Sequence, residues 1–466
     1  MVLRKRATNG SDAPENTSSD VPLGDDKSTS VLWRLIKYAI VLAIVAELCV
    51  FSWMVTKLGN AGDLNDEKGF GWTIAIADDV KNAVPYNFMA LMAFMKFAGS
   101  FYEDPHAREY YESQKPLFAA AAAKFKLHRY FTSIEVRENC AKPQSCEWLD
   151  MIHQRIKAFA KSLKEESRDD YRLEKDRCTM YDFFSNNDFP VASILGVWRN
   201  RDEFIARMEA GDMAELAEDW PVFLKACHLT QSSSRGTFNV ASKDRMTTSA
   251  QRITEWVNEK WAFRANDFER PWVNEGNMLT DALQPGILVQ APFKPKAGKL
   301  RTHGRFAVGL LEFRVEVIWG RAYQAMLDGN IVFFRDKSVE WYGPPYGFLN
   351  IPIREGNLHP KIQWIVDKGY LNCIWDLSER AGKAAAVDYM RVDIFASIGD
   401  PAGCTINENS LSSGLMYWKH DNYLAATWAG PHLSGKYQVL ETNKSVYELL
   451  PEDTGVMPWP HRAQRR

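Results

Sequence analysis

Apolar and polar residues alternate along Met390–Ala396. Met390, Val392, Ile394 and Ala396 point one way and Arg391, Asp393 and Phe395 the other, the period-2 pattern of a half-buried strand. The cluster Gly399-Asp400-Pro401-Ala402-Gly403 predicts a turn, and Cys404–Asn409 a returning strand that ends in Asn407-Glu408-Asn409. Leu311–Trp319 alternates strictly as far as Val317. Leu311, Phe313, Val315 and Val317 share one face; Glu312, Arg314 and Glu316 share the other, which meets either water or the floor of a polar cleft. Shorter strands are expected at Val191–Val197, Trp220–Lys225 and Gly286–Ala291. Gly320-Arg321 turns the chain into Ala322–Leu327, which runs towards the hairpin signal Asp328-Gly329-Asn330. Helical patterns occupy Tyr86–Phe101, Pro116–Phe125, Cys146–Leu163, a charged segment from Asp202, and Lys383–Tyr389. Beyond Gly414 the pattern is aromatic and irregular, closing on a basic tail at Arg462–Arg466.

The first 30 residues are polar and read as a disordered tail. Tyr38–Val55 is an apolar run broken only by Glu47 and Ser52, and with its flanks (31–57) it is long enough for one membrane-spanning helix. Arg4, Lys5, Arg6, Lys27, Arg34 and Lys37 precede it, while Asp63, Asp66 and Glu67 follow. The positive-inside rule therefore leaves the N-terminus in the cytosol. The expectation is a single-pass type II membrane protein of the Golgi with its bulk in the lumen, a helical stem over 58–166 and a C-terminal tail over 441–466. Asn443-Lys444-Ser445 is then a usable glycosylation acceptor.

The 466 residues carry a formal net charge of −2, so no nucleic-acid partner is expected. The nine histidines form no HxxxH-like pair and the seven cysteines no CxxC, so no zinc site is expected either. Cys140 and Cys146 bracket a loop that a disulfide can close, whereas Cys178, Cys227, Cys373 and Cys404 read as buried thiols. Aromatics in Trp341–Pro352 and Met416–Gly430 either stack on sugars or pack, with packing favoured.

Two stretches carry candidate chemistry. If Met390–Ala396 and Cys404–Asn409 pair, Asp393 comes close to Glu408 with Arg391 alongside. Carboxylates on adjacent strands beside a guanidinium suit Mg²⁺ held against phosphates; the plainer reading is a surface hairpin. Lys225 ends a strand and is followed by the Ser-rich Ala226–Gly236, a phosphate cradle or an ordinary loop. His228 within it reads as a structural hydrogen-bonding residue.

The order of these parts carries a resemblance. Asp176-Arg177 is followed by Ile194–Trp198, Phe223–Lys225 with its loop, Pro285–Val289, Glu312–Val315, Gly320-Arg321, Arg391–Asp393 and Asn407–Asn409. Over roughly 176–414 the chain resembles the ATP-grasp superfamily, and specifically the TupA-like ATP-grasp family. The resemblance implies an α+β fold: a two-lobed, ATP-grasp-like catalytic unit with antiparallel sheets over 167–440, preceded by the helical region and the transmembrane helix. It implies ATP and Mg²⁺ as cofactors. The reaction would be a ligation in which a carboxylate is activated as an acyl-phosphate and captured by an amine. Lys225 would contact phosphates, and Ser232, Ser233, Ser234 and Gly236 would form the flap. Val289 and Gln290 would sit at the adenine hinge, Arg314 and Arg391 would face phosphate or acyl-phosphate, and Asp393 with Asn407 or Glu408 would bind metal. The chain departs from the family in Arg177, in the flap sequence and in Gln290. A carbohydrate polymer or small acid is the expected substrate. The topology also fits a type II Golgi glycosyltransferase, though no convincing DxD-like motif is present. The altered flap fits a non-catalytic binding protein of the same fold, and a glycan kinase is a further variant.

Overall fold

The structure is a computed structural model that describes residues 105–230, 236–265, 272–294, 310–327, 331–342, 350–353, 360–415, 417 and 419–459. The strands are β1 (Lys126–His128), β2 (Ile194–Trp198), β3 (Val222–Ala226), β4 (Thr237–Val240), β5 (Ile287–Gln290), β6 (Leu310–Ile318), β7 (Arg321–Leu327), β8 (Ile331–Phe334), β9 (Val339–Tyr342), β10 (Asn350–Ile353), β11 (Tyr389–Ser397), β12 (Asp400–Ser410) and β13 (Gln438–Leu440). They form a seven-stranded sheet in the order β10-β9-β8-β7-β6-β11-β12, a four-stranded sheet in the order β2-β5-β3-β4, and a β1–β13 pair. Every pairing in the two larger sheets is antiparallel. The fold is therefore α+β with antiparallel sheets.

Each large sheet has its own apolar core. Trp198, Phe204, Leu224, Val240, Ile253 and Val289 cluster around the smaller sheet. Phe313, Val315, Val317, Val392, Ile394 and Trp428 belong to the larger cluster. Alternation decides which face of the seven-stranded sheet is covered. Leu311, Phe313, Val315 and Val317 are buried, and helix Tyr370–Ala384 packs against them; a Cβ on its Gly382 would stand 3.0 Å from Val317 Cγ1. The opposite face carries the charges. β6 turns into β7 through Trp319-Gly320, both with positive φ (50° and 66°), the two-residue hairpin geometry that favours glycine.

Several expectations change. The segment beyond Gly414 is not irregular: Asp421–Ser434 is a helix, with Tyr423, Leu424, Trp428 and Ala429 buried. Burial on most sides removes the amphipathic period that marks a surface helix. Buried Tyr417, Tyr423 and Trp428 also make the described part of Met416–Gly430 a packing segment. The helix placed at Lys383–Tyr389 is instead Tyr370–Ala384, and Tyr389 opens β11. Cys140–Cys146 is a disulfide as the loop allows. The other four described cysteines are not thiols: Cys178 pairs with Cys227 and Cys373 with Cys404. Sequence separations of 49 and 31 give no local signal for such pairs. The span at 31–57, the 1–30 tail, Tyr86–Phe101, Ser232, Ser233, Ser234, Asp328-Gly329-Asn330 and Arg462–Arg466 lie outside the described residues. Among the described residues, no helix is long and apolar enough to cross a membrane.

Candidate functional site

The polar face of the seven-stranded sheet is assembled by register. Asp393 on β11 sits opposite Arg314 on β6 and opposite Glu408 on β12, so all three side chains share one face. Arg391, two residues earlier, is on the same face and opposite Glu316. A register shift between Asp393 and Ile394 falls beside Asn407, an irregularity that re-aims side chains. Asn407 Nδ2 reaches 3.4 Å to Glu312 Oε1 across β11, so Asn407 and Glu408 both look onto the charged face.

Arg391 grips Asp393 with a fork, Nε to Oδ1 at 2.7 Å and Nη2 to Oδ2 at 3.1 Å, while its Nη1 donates to Ser413 Oγ at 2.9 Å. Arg314 Nε approaches Asp393 Oδ2 at 3.9 Å. Burial opposes the charge of Arg391, but Asp393 and Glu316 outweigh it and hold the guanidinium above its ordinary pKa. Glu316 is fully buried beneath, where it accepts from the Tyr389 and Tyr417 hydroxyls. Burial pushes its carboxyl above the ordinary range even though Arg391 and both hydroxyls favour the charged form. The three charges of β6 are thus a polar floor with little access to water: Glu312 and Glu316 are buried and Arg314 is partly covered.

The four-stranded sheet and helix Arg177–Asn186 supply the facing cations. Lys225, near the end of β3, extends its Nζ to the Tyr181 hydroxyl at 3.4 Å and lies 5.7 Å from that ring's centre. Tyr181 donates its hydroxyl to the Asn407 carbonyl at 2.8 Å, which places Lys225 beside β12. Arg177 Nη2 stands 3.9 Å from Glu408 Oε1, and its Nη1 donates to the Leu229 carbonyl. Asp176 is not part of the constellation. It caps helix Arg177–Asn186 by accepting from Cys178 N and Thr179 N, and it pairs with Arg199 at 2.7 Å. The Cys178–Cys227 disulfide, with Arg177 N donating to Cys227 O at 2.8 Å, locks this helix to the end of β3 and so positions Arg177 and Lys225 together. Replacing both cysteines by serine is expected to cost about 2–4 kcal/mol, read as a lower urea midpoint. An unchanged midpoint would show that the crosslink does not hold this corner.

Gly236 closes the Lys225 loop against Leu229, where a Cβ would lie 2.7 Å from the Leu229 carbonyl oxygen. Only glycine allows that approach. His228 has the structural role expected of it: Nε2 lies 3.0 Å from Lys260 O, and burial, aided by Arg264, lowers its pKa to about 4. On β5, Val289 and Gln290 are buried, and Gln290 pairs with Ile194 and Phe223 in register. Among the described residues, Gln290 Nε2 has no hydrogen-bond partner.

The structure therefore brings together Arg314, Arg391, Asp393, Asn407, Glu408 and Lys225, and it sets Val289 and Gln290 in the strand next to Lys225. Sequence reasoning missed Tyr181, Ser413, Glu174 and Lys175. Glu174 is buried, accepting from Lys175 at 2.9 Å, Ser410 at 2.8 Å and Ser412 at 2.7 Å, so it pins the end of β12 from the Lys164–Asp176 stretch. The available signal was the Ser-rich run Ser410-Leu411-Ser412-Ser413 directly after the carboxylate strand.

The donor set fits a divalent cation. Two carboxylates and an amide carbonyl on one face are hard oxygen ligands. A carboxylate held by a guanidinium keeps lone pairs for a metal. The orphaned Gln290 amide fits an acceptor supplied by a ligand. Four cations around this set suit a polyanion.

No family model and no curated protein matches the chain. Solved structures do match. D-alanyl-alanine synthetase A from Vibrio cholerae O1 biovar eltor is 12% identical over 57% of this chain and 65% of that chain, with a TM-score of 0.26. The ATP-grasp ligase PsnB, complexed with its minimal precursor, is 13% identical over 56% and 60%, with a TM-score of 0.27. D-cycloserine synthetase DcsG is 12% identical over 62% of this chain and 80% of that chain, with a TM-score of 0.32. The chain spans less than two thirds of the first two. At such TM-scores these likenesses carry no argument about activity, which rests on this chain's own residues.

Proposed function

We propose that this chain is an ATP-grasp-type ligase of the TupA-like kind, which activates a carboxylate with ATP and Mg²⁺ and passes it to an amine. The observation that carries this reading is the cross-strand pair Asp393–Glu408, flanked by Arg391 and Arg314 and faced by Lys225 from a second sheet. Asp393 and Glu408, with Asn407 beside them, would hold Mg²⁺, which when bound would neutralise phosphate charge. Lys225 would bind the phosphates. Val289 and Gln290 would line the nucleobase end, and Ser232–Gly236 would be the flap over the phosphates. Arg314 would hold the transferring phosphoryl group, and Arg391 would orient Asp393 while facing the acyl oxygen. Catalysis would come mainly from positioning and charge neutralisation in a site with limited water access.

Three disulfides support an oxidising compartment. Exposed Asn443 supports the same placement, since its acceptor sequence would be accessible to glycosylation. Together with the apolar run at Tyr38–Val55, these support a type II protein with its catalytic part in the Golgi lumen, acting on a carbohydrate polymer or small acid.

The test is thermal shift of the full-length protein with ATP·Mg²⁺ and with sugar nucleotides. ATP·Mg²⁺ is expected to raise the melting temperature by mass action. Lys225→Ala, whose side chain is only partly buried, is expected to stay folded and lose most of the shift. Candidate acids with hydroxylamine as the capturing amine should then yield hydroxamate, ADP and inorganic phosphate. Stabilisation by a sugar nucleotide and not by ATP would end the ligase reading; a phosphorylated product that accumulates would make the chain a kinase.

A further inference from the structure

Towards the other end of the seven-stranded sheet from β12, three side chains from elements far apart in sequence meet. His106 lies in the first turn of helix Pro105–Ala122, Glu340 on β9, and His420 immediately before helix Asp421–Ser434. His106 Nδ1 is 3.0 Å and His420 Nε2 3.2 Å from the same oxygen, Glu340 Oε1. The three donor atoms lie within 4.8 Å of one another. We propose that His106, Glu340 and His420 form a site for a divalent transition metal, zinc by the chemistry of its donors, separate from the Asp393–Glu408 site.

The spacing of the donors is compatible with a ligand set. Nitrogen and oxygen donors at about 2.0–2.1 Å from a tetrahedral zinc stand roughly 3.3 Å from one another, and the two contacts here are close to that. Two imidazoles could satisfy a carboxylate by taking one oxygen each. Here both ring nitrogens come within hydrogen-bond distance of a single oxygen, so the three donor atoms already lie together. Two imidazoles and one carboxylate select zinc over the hard cations, which take oxygen donors.

The surroundings hold the donors in place. The His420 ring packs 4.6 Å from Phe334 and 6.1 Å from Tyr110, and the His106 ring 6.1 Å from Phe334. Among the described residues, His420 Nδ1 makes no hydrogen bond, so packing sets that ring's orientation. Glu340 and His420 are buried, whereas the His106 side chain is 36% exposed. Water could reach a bound metal from the His106 side. The metal would staple two helices to β9 across separations of 234 and 80 residues. The absence of an HxxxH-like spacing is no obstacle, since tertiary folding supplies the proximity.

Metal content is measured on the full-length protein after equilibration with zinc and removal of excess, together with the visible spectrum of the cobalt-substituted form. One zinc per chain, undisplaced by millimolar-range Mg²⁺, and intense cobalt bands of tetrahedral type are expected. Because His106 is partly exposed, His106→Ala is expected to fold and to weaken zinc binding by more than about 100-fold, beyond the 10–100-fold that follows loss of a partner outside the ligand set. His106→Gln serves as a second variant of similar size. Asp393→Asn should leave zinc content unchanged, which separates this site from the one that would hold Mg²⁺. A folded wild-type chain that retains no zinc, or a folded His106 variant that retains it as the wild type does, overturns the proposal.

Discussion

Under the proposed ligase activity, Asp393→Asn and Glu408→Gln are each expected to abolish the Mg²⁺-dependent part of the thermal stabilisation by ATP and to lower turnover by about 10²–10³-fold, the scale of losing one preorganised electrostatic partner. The two residues differ in what else they do, and the difference makes the pair informative. Asp393 is 3% exposed and is held through both oxygens by Arg391, so its replacement also loosens a buried ion pair. Asparagine keeps the shape and leaves one acceptor for the guanidinium. The Glu408 side chain is 26% exposed, with Arg177 at 3.9 Å. Its neutral isostere should hardly change the melting temperature of the unliganded protein. If both variants lose the nucleotide response while Glu408→Gln melts like the wild type, the loss belongs to the site and not to folding. Retention of Mg²⁺-dependent stabilisation by both would remove Asp393 and Glu408 from the metal role.

The second large effect concerns stability. Asp388→Ala is expected to cost about 3–5 kcal/mol, the range for breaking a buried ion pair by removing one partner. Asp388 and Arg155 are both fully buried and paired with each other. Trp428 Nε1 donates to Asp388 at 2.6 Å, the His432 ring lies at 2.6 Å, and Arg155 Nη1 donates to Tyr389 O at 3.0 Å. The aspartate thus ties helices Trp148–Glu166 and Asp421–Ser434 to the start of β11, the strand that carries Arg391 and Asp393. Deleting it would strand a guanidinium in the core. Urea unfolding measures the loss; a change below about 1 kcal/mol would mean that water or relaxation replaces the pair. Burial disfavours the charged aspartate, but Arg155 and the His432 and Trp428 contacts outweigh it, so its folded pKa is depressed. Its contribution is therefore fully present above the ordinary aspartate value and is lost as pH falls through the depressed folded value. In Asp388→Ala that part of the acid dependence should be missing.

The hairpin of β11 and β12 was legible because alternation is local: a strand's period of two assigns Arg391 and Asp393 to one face before any partner is known. The strict alternation of Leu311–Val317 likewise separated a covered face from a charged one, and the structure decides for the polar floor because Glu312 and Glu316 are buried. The placement of Lys225 at a strand end was also local. Its partner Tyr181 was not, being 44 residues earlier in a helix whose pattern announces only core.

By itself, then, the sequence determined strand faces and permitted the Asp393–Glu408 pairing and the Cys140–Cys146 closure, since each depends on residues close in the chain. Tertiary structure alone decided the Cys178–Cys227 and Cys373–Cys404 partners, the Asp388 network, the buried helix Asp421–Ser434 and the meeting of His106, Glu340 and His420. These depend on contacts between segments remote in sequence. Composition and periodicity report a residue's own face and burial, but which distant residue comes to share that burial is decided only when the sheets and helices pack.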